Sequence, residues 1–221
     1  MSINLLETAV ANFVALLNTV DDAHWGTATA CSEWDVTALV DHMIGGAQMS
    51  SVVLAGGSKE DATAVLGQVP TTIADRRAAV VATAAAHVDA FRKPGALESI
   101  VHHPAMDMPG AQLLGFRIGD YLMHTWDLAH GLGQEVVLDA AGVEFMWDAL
   151  QPMAAMIGHV GVFGEGPSGN VPETALLQTR LLDLTGRRDV EQAHQRAGVA
   201  SAQTHIGGGH VGHAARQQRQ R

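Results

Sequence analysis

The chain has 221 residues, 47% of them hydrophobic, and a formal net charge of −10, enough for one large domain with or without a tail. Residues 187–221 hold six arginines against Asp189 and Glu191, a balance of +4, so the remainder carries −14. An acidic body argues against nucleic-acid binding. No apolar run approaches the about 20 residues of a membrane span. The N-terminal stretch MSINLLETAVANF lacks a basic region and carries an acid, so no signal peptide is expected. The single cysteine, Cys31, excludes an internal disulfide. A cytoplasmic protein is the simplest expectation.

Residues 2–20 predict an amphipathic helix, since Leu5, Leu6, Ala9, Val10, Phe13, Leu16, Leu17 and Val20 follow helical spacing. Ser2 is its candidate cap. A polar connection with Trp25 follows. In CSEWDVTALVDHMIGG, Ser32 is the expected cap, with Glu33 and Asp35 at the positive helix end. Val36, Leu39, Val40, Met43 and Ile44 form the apolar face, and His42 lies beside it. Gly45 and Gly46 inside a helix imply close packing by another element, or a bend.

Residues 56–72 predict a loop with room for a helical turn. Residues 73–91 are Ala-rich and predict a helix ended by Pro94 and Gly95. Its Arg76 and Arg77 are either cleft residues or surface charges. The segment 96–110, with His102, His103 and two prolines, predicts a loop, and no strand is expected anywhere. A helix follows from about Ala111 to Gly131 or Gly133. Residues 138–160 predict another long helix, kinked at Pro152. A glycine-rich loop and a short helix within 173–186 complete the core. The boundaries expected are a helical domain over 1–188 and a disordered His/Arg/Gln-rich tail over 189–221. From Arg187 on, apolar periodicity is lost. His205, His210 and His213 read better as solvated tail residues than as ligands.

The chemistry-bearing stretch is FRIGDYLMHTWDLAHGLG, residues 116–133. As a helix it puts Arg117, Asp120, His124 and Asp127 in one stripe, at spacings of three, four and three. Buried unpaired charge is costly, so this stripe needs partners. A metal ion and a salt-bridged or solvated face both satisfy it. The elements together predict an all-α protein, an antiparallel four-helix bundle, in which His42 can face Asp120 and His124. Two histidines and a carboxylate with open positions are a pattern of catalytic metal sites.

The two quoted stretches resemble the signatures of DinB/YfiT-like metalloproteins. They are most similar to the actinobacterial branch related to the mycothiol-dependent maleylpyruvate isomerase N-terminal domain, worded Cys-x-x-Trp-x-Val ending in a His, then Arg-x-x-Asp-x-x-x-His-x-Trp-Asp-Leu-Ala. ALLQTRLLDLTGR is similar to the same branch. The resemblance spans about residues 1–188. It implies His42, Asp120 and His124 as ligands of a divalent metal, zinc first, with nickel, iron or manganese as alternatives, and mycothiol as a thiol cofactor. The isomerase itself uses Glu where this chain has Asp120, and no counterpart of its separate C-terminal domain is expected within these residues.

Three functions fit. The first is a metal-dependent enzyme acting on a small molecule through a metal-bound thiol, by isomerisation or thiol transfer. Arg117 would then bind a substrate carboxylate or pair with an acid of the bundle. Asp127 would orient His124 or cap a loop. Cys31 precedes a helix start, where thiol pKa can fall, although a buried structural role is the preferred reading. The second is a small-molecule-binding protein or metal-independent biosynthetic enzyme using the bundle cavity. The third is a structural role with the His/Asp set as a polar network. A homodimer is compatible with all three.

Overall fold

The computed structural model describes residues 3–31, 34–159, 161 and 163–188. It is mostly helical. In order come α1 (Ile3–Leu17), a 3-10 turn (Asp22–His24), α2 (Val36–Leu54), α3 (Lys59–Val65), α4 (Ile73–Arg92), β1 (Ile100–His102), β2 (Asp107–Pro109), α5 (Gly110–Gly131), α6 (Ala140–Leu150), a 3-10 segment (Gln151–His159) and α7 (Leu177–Leu184). Helices α1 and α2 each pack against both α4 and α5. No helix of the described residues is long and apolar enough to cross a membrane.

The apolar stripe of α1 buries Leu6, Phe13 and Leu17 against Leu39 and Ile44 of α2 and Leu113, Ile118 and Tyr121 of α5. Each such side chain contributes about 1.5–3 kcal/mol when fully buried. A second cluster lies on the other flank of α5. There Leu122, Met123 and Trp126 meet Val143 and Met146 of α6 and Leu181 and Leu184 of α7. With core on both flanks, α5 is buried over most of its length, Arg117, His124, Thr125 and Asp127 included. This makes α5 the element that fixes the site.

Helix starts are set by side-chain caps. The Asp35 carboxylate accepts from the Ala38 amide at 2.8 Å, so α2 begins at Val36 and Asp35 is its cap. The expected caps Ser2 and Ser32, and Glu33, lie outside the described residues. Ser58 and Asp61 form a capping box that starts α3 inside the stretch expected to be loop, satisfying two amides reciprocally. Arg76 pairs with Asp41 through both guanidinium edges, at 2.7 and 2.9 Å. Arg77 donates to the Leu17 and Val20 carbonyls beyond α1. Both arginines hold helices together.

Two expectations need correction. Residues 100–109 form an antiparallel hairpin, with Val101 opposite Met108 and both buried, so the protein is not purely helical. Each strand has only three residues, too few to display a period of two. The helix expected over 138–160 stops at Leu150 and continues as 3-10 turns with a kink at Met153. Pro152 offers no amide and disfavours helical geometry before it. Arg187 and Arg188, the last residues of the expected helical domain, are bound to the core although apolar periodicity is lost there. The tail proper, from residue 189, lies outside the described residues.

Candidate metal centre

Asp120 and His124 are one turn apart on α5, and His42 approaches from α2. The three bring one ligand atom each within 4.8 Å of one another. His42 Nε2 lies 3.9 Å from Asp120 Oδ2, beyond hydrogen-bonding reach. This nitrogen is buried and has no hydrogen-bond partner among the described residues. Burial holds the imidazole at a pKa of about 4, against an upward pull from Asp120 and with smaller downward pushes from His124 and Arg117. His42 is therefore neutral near pH 7 and forms no ion pair with Asp120. A neutral imidazole can offer an unprotonated ring nitrogen to a cation.

Trp34 closes the near side. Its ring lies 4.7 Å from that of His42 and 5.6 Å from that of His124, centroid to centroid. The two imidazoles meet edge to face at 5.1 Å. An aromatic wall of this kind fixes ring orientation and limits water around the donor atoms.

Arg117 lies beneath Asp120. It donates through Nη1 to Asp120 Oδ2, is 2% exposed, and stacks over the Tyr121 ring at 5.4 Å. Its Nε and Nη2 have no partner among the described residues. Gly46 of α2 faces this guanidinium, and a Cβ there would collide with it. The glycine pair thus has a use in each member, Gly45 packing on the Leu66 carbonyl and Gly46 on Arg117.

Asp127 is fully buried behind His124. Its Oδ2 is 2.9 Å from His124 Nδ1. Arg187 grips both its oxygens, at 2.8 and 2.7 Å. Burial alone would raise the carboxyl, but the His124 hydrogen bond and the Arg187 charge outweigh it and bring the pKa to about 2. An ionised Asp127 favours the ring form with a proton on Nδ1, the form that leaves Nε2 as the ligand atom.

The spacing of the motif leads to Asp120, His124 and Asp127, but not to Arg187, which is sixty residues from Asp127 and has no local signal. Cys31, for which a buried structural role was the preferred reading, lies beside this pair. Its thiol is 3.3 Å from Asp127 Oδ2 and 3.9 Å from His124 Nδ1. Burial and the Asp127 charge push its pKa up to about 12, the reverse of activation at a helix end. Cys31, His124 and Asp127 also come within ligand range of one another. Arg187 already engages both Asp127 oxygens, so this set works as a hydrogen-bond network. His102 is exposed and bonded to Asp107 at 3.2 Å. His103 is half-buried at the hairpin turn and accepts from the Ala105 amide.

The donor chemistry fits a divalent cation. Two imidazoles and a carboxylate converge, and one buried nitrogen has no other partner among the described residues.

Comparison with known proteins agrees on family. Residues 6–129 match the family model for the mycothiol maleylpyruvate isomerase N-terminal domain. Uncharacterized proteins from two strains of Mycobacterium tuberculosis are 32% identical over 146 residues, which is 66% of this chain and 74% of theirs. The crystal structure of the mycothiol-dependent maleylpyruvate isomerase is similar in fold, with TM-score 0.54 and 16% identity over 70% of this chain and 67% of that one. A histidine-to-alanine mutant of that isomerase gives TM-score 0.56 over the same shares.

Proposed function

The chain belongs to the mycothiol maleylpyruvate isomerase N-terminal domain family, and from that premise we propose that it is a divalent-metal-dependent enzyme that uses mycothiol to isomerise or transfer a thiol to a small electrophilic substrate. The helices α1, α2, α4 and α5 serve in this reading as an antiparallel four-helix bundle of DinB/YfiT-like type. The observation that carries the proposal is the buried His42 Nε2, unpartnered among the described residues and facing Asp120 and His124. His42, Asp120 and His124 hold the ion, zinc by preference for this donor mixture, with nickel, iron or manganese as alternatives. When bound, the cation supplies Lewis acidity that favours the thiolate form of a coordinating thiol.

The protein side chains have separate tasks. Asp127 keeps the His124 proton on Nδ1 and its lone pair on the ligand side. Trp34 shields the imidazoles. Arg117, buried under Asp120, anchors that carboxylate. Its burial favours this pairing with an acid of the bundle over a contact with substrate.

One observation favours a second reading. Arg117 already pairs with Asp120, which lets the trio serve as a metal-free polar network in a small-molecule-binding protein or metal-independent enzyme. Metal analysis of untagged protein decides between the two. The enzyme reading expects about one divalent ion per chain, and a rise in melting temperature when mycothiol is added to metal-loaded protein. Stoichiometric metal with no thermal shift at saturating mycothiol would remove the thiol from the proposal. Absence of metal after reconstitution would remove the centre.

A further inference from the structure

Arg187 is held by the end of the last helix. Gly186 adopts φ +76°, a left-handed conformation that glycine takes without strain. Its amide bonds the Asp183 carbonyl at 3.0 Å, and the Arg187 amide bonds the Leu182 carbonyl at 2.8 Å. This pair of bonds is a Schellman stop. It turns the chain back toward α5 and places the Arg187 guanidinium across the Asp127 carboxylate. The packing of Leu181 and Leu184 on the outer flank of α5 sets the distance. The neighbouring Arg188 points elsewhere, to Glu165 and the Gly166 carbonyl.

Asp127 has two oxygens and three kinds of donor around it. Oδ2 receives His124 Nδ1, Arg187 Nη2 and the Cys31 thiol, and Oδ1 receives Arg187 Nε. A bidentate guanidinium fixes the plane of a carboxylate as well as its charge. The plane of Asp127 in turn fixes the direction of the His124 ring. We infer that Arg187 is a positioning residue for His124, acting through Asp127, so that the C-terminal helix clamps the metal centre without touching it. This rests on the reading of His42, Asp120 and His124 as metal ligands. Because linkage is reciprocal, an ion held by His124 would also tighten the docking of α7.

The test is zinc affinity, measured by chelator competition on the full chain for wild type, Arg187→Ala, Arg187→Lys and Arg188→Ala. Loss of an outer hydrogen-bonding partner of a ligand typically weakens metal binding about 10–100-fold. Arg187→Ala should fall in that range, Arg187→Lys should recover part of the loss, and Arg188→Ala should stay within about twofold of wild type. Wild type that binds no zinc would overturn the ligand reading, and this inference with it. Wild type that binds zinc while Arg187→Ala binds equally well would overturn this inference alone. If Arg187→Ala does not fold, nitrogen NMR of the His124 ring in metal-free Arg187→Lys gives the answer. A shift from the Nδ1–H tautomer toward a mixture supports the clamp. An unchanged tautomer together with unchanged zinc affinity in Arg187→Lys overturns it.

Discussion

Gly46 of α2 lies against the guanidinium of Arg117 on α5, with no room for a β-carbon between them. The contact lets a buried arginine reach Asp120 from below. Gly46→Ala should push Arg117 off its partner and overpack the interface, an effect of about 1–3 kcal/mol. Denaturant unfolding measures it. Gly26→Ala is the control, since no atom lies within 4 Å of a β-carbon there, and it should be near neutral. Equal stability of the two variants would mean that the Gly46 contact does not constrain Arg117.

His87 gives the fold an acid-sensitive point. It is fully buried on α4, stacked on Tyr121 at 5.8 Å, with neither ring nitrogen hydrogen-bonded. Burial lowers its pKa to about 3, helped by the Arg117 charge. The Ala84 carbonyl and Asp120 pull the other way, the former without reaching hydrogen-bond geometry. The folded value is thus below the unfolded one, about 6.5, and the unfolded chain binds the extra proton between the two. Stability from this site is full above pH 6.5 and falls by about 1.4 kcal/mol per pH unit as pH drops toward 3. His87→Phe should flatten that loss when urea midpoints are compared at pH 7 and 4.5. An unchanged pH dependence would exclude His87 as the source.

The helical part of this fold was legible because its stripes are long. In α1, Leu6, Ala9, Phe13 and Leu17 are the buried set, as the spacing requires. Adjacency of Asp120, His124 and Asp127 follows from helical geometry alone. Short or long-range features were not legible. The three-residue strands around Val101 and Met108 carry no readable period. Arg187 sits at the boundary of a polar, arginine-rich stretch, and composition suggested tail. Its partner is sixty residues away, and only the docking of α7 reveals it. The thiol of Cys31 fits the structural role preferred for it, and the reason is local. A helix end lowers a thiol pKa when the thiol is near free amides, but here the nearest charge is the Asp127 carboxylate.

That carboxylate should make Cys31 slow to alkylate. With its pKa pushed up to about 12, the thiolate fraction at pH 7.5 is about three in a hundred thousand. Iodoacetamide labelling of native protein should lag far behind labelling of the urea-unfolded chain, where the thiol returns to its ordinary range. Native labelling as fast as unfolded would show that Cys31 is activated and that its contact with Asp127 is not the controlling one.

The ligand assignment itself has a direct test. His124→Ala and His42→Ala each remove one imidazole without adding bulk, and the apolar faces of α2 and α5 are untouched. Far-UV circular dichroism should therefore show unchanged helicity. Metal content after reconstitution with one equivalent of zinc should fall strongly in each single variant and to background in the double variant. His210→Ala serves as the control, because residue 210 lies outside the described core, and its occupancy should match wild type. The logic turns on Asp120. One carboxylate that is also paired with Arg117 is a poor chelator, so it cannot retain the ion alone. A double variant that still holds a full equivalent of zinc would refute the centre, and the buried ring nitrogen of His42 would then need another partner.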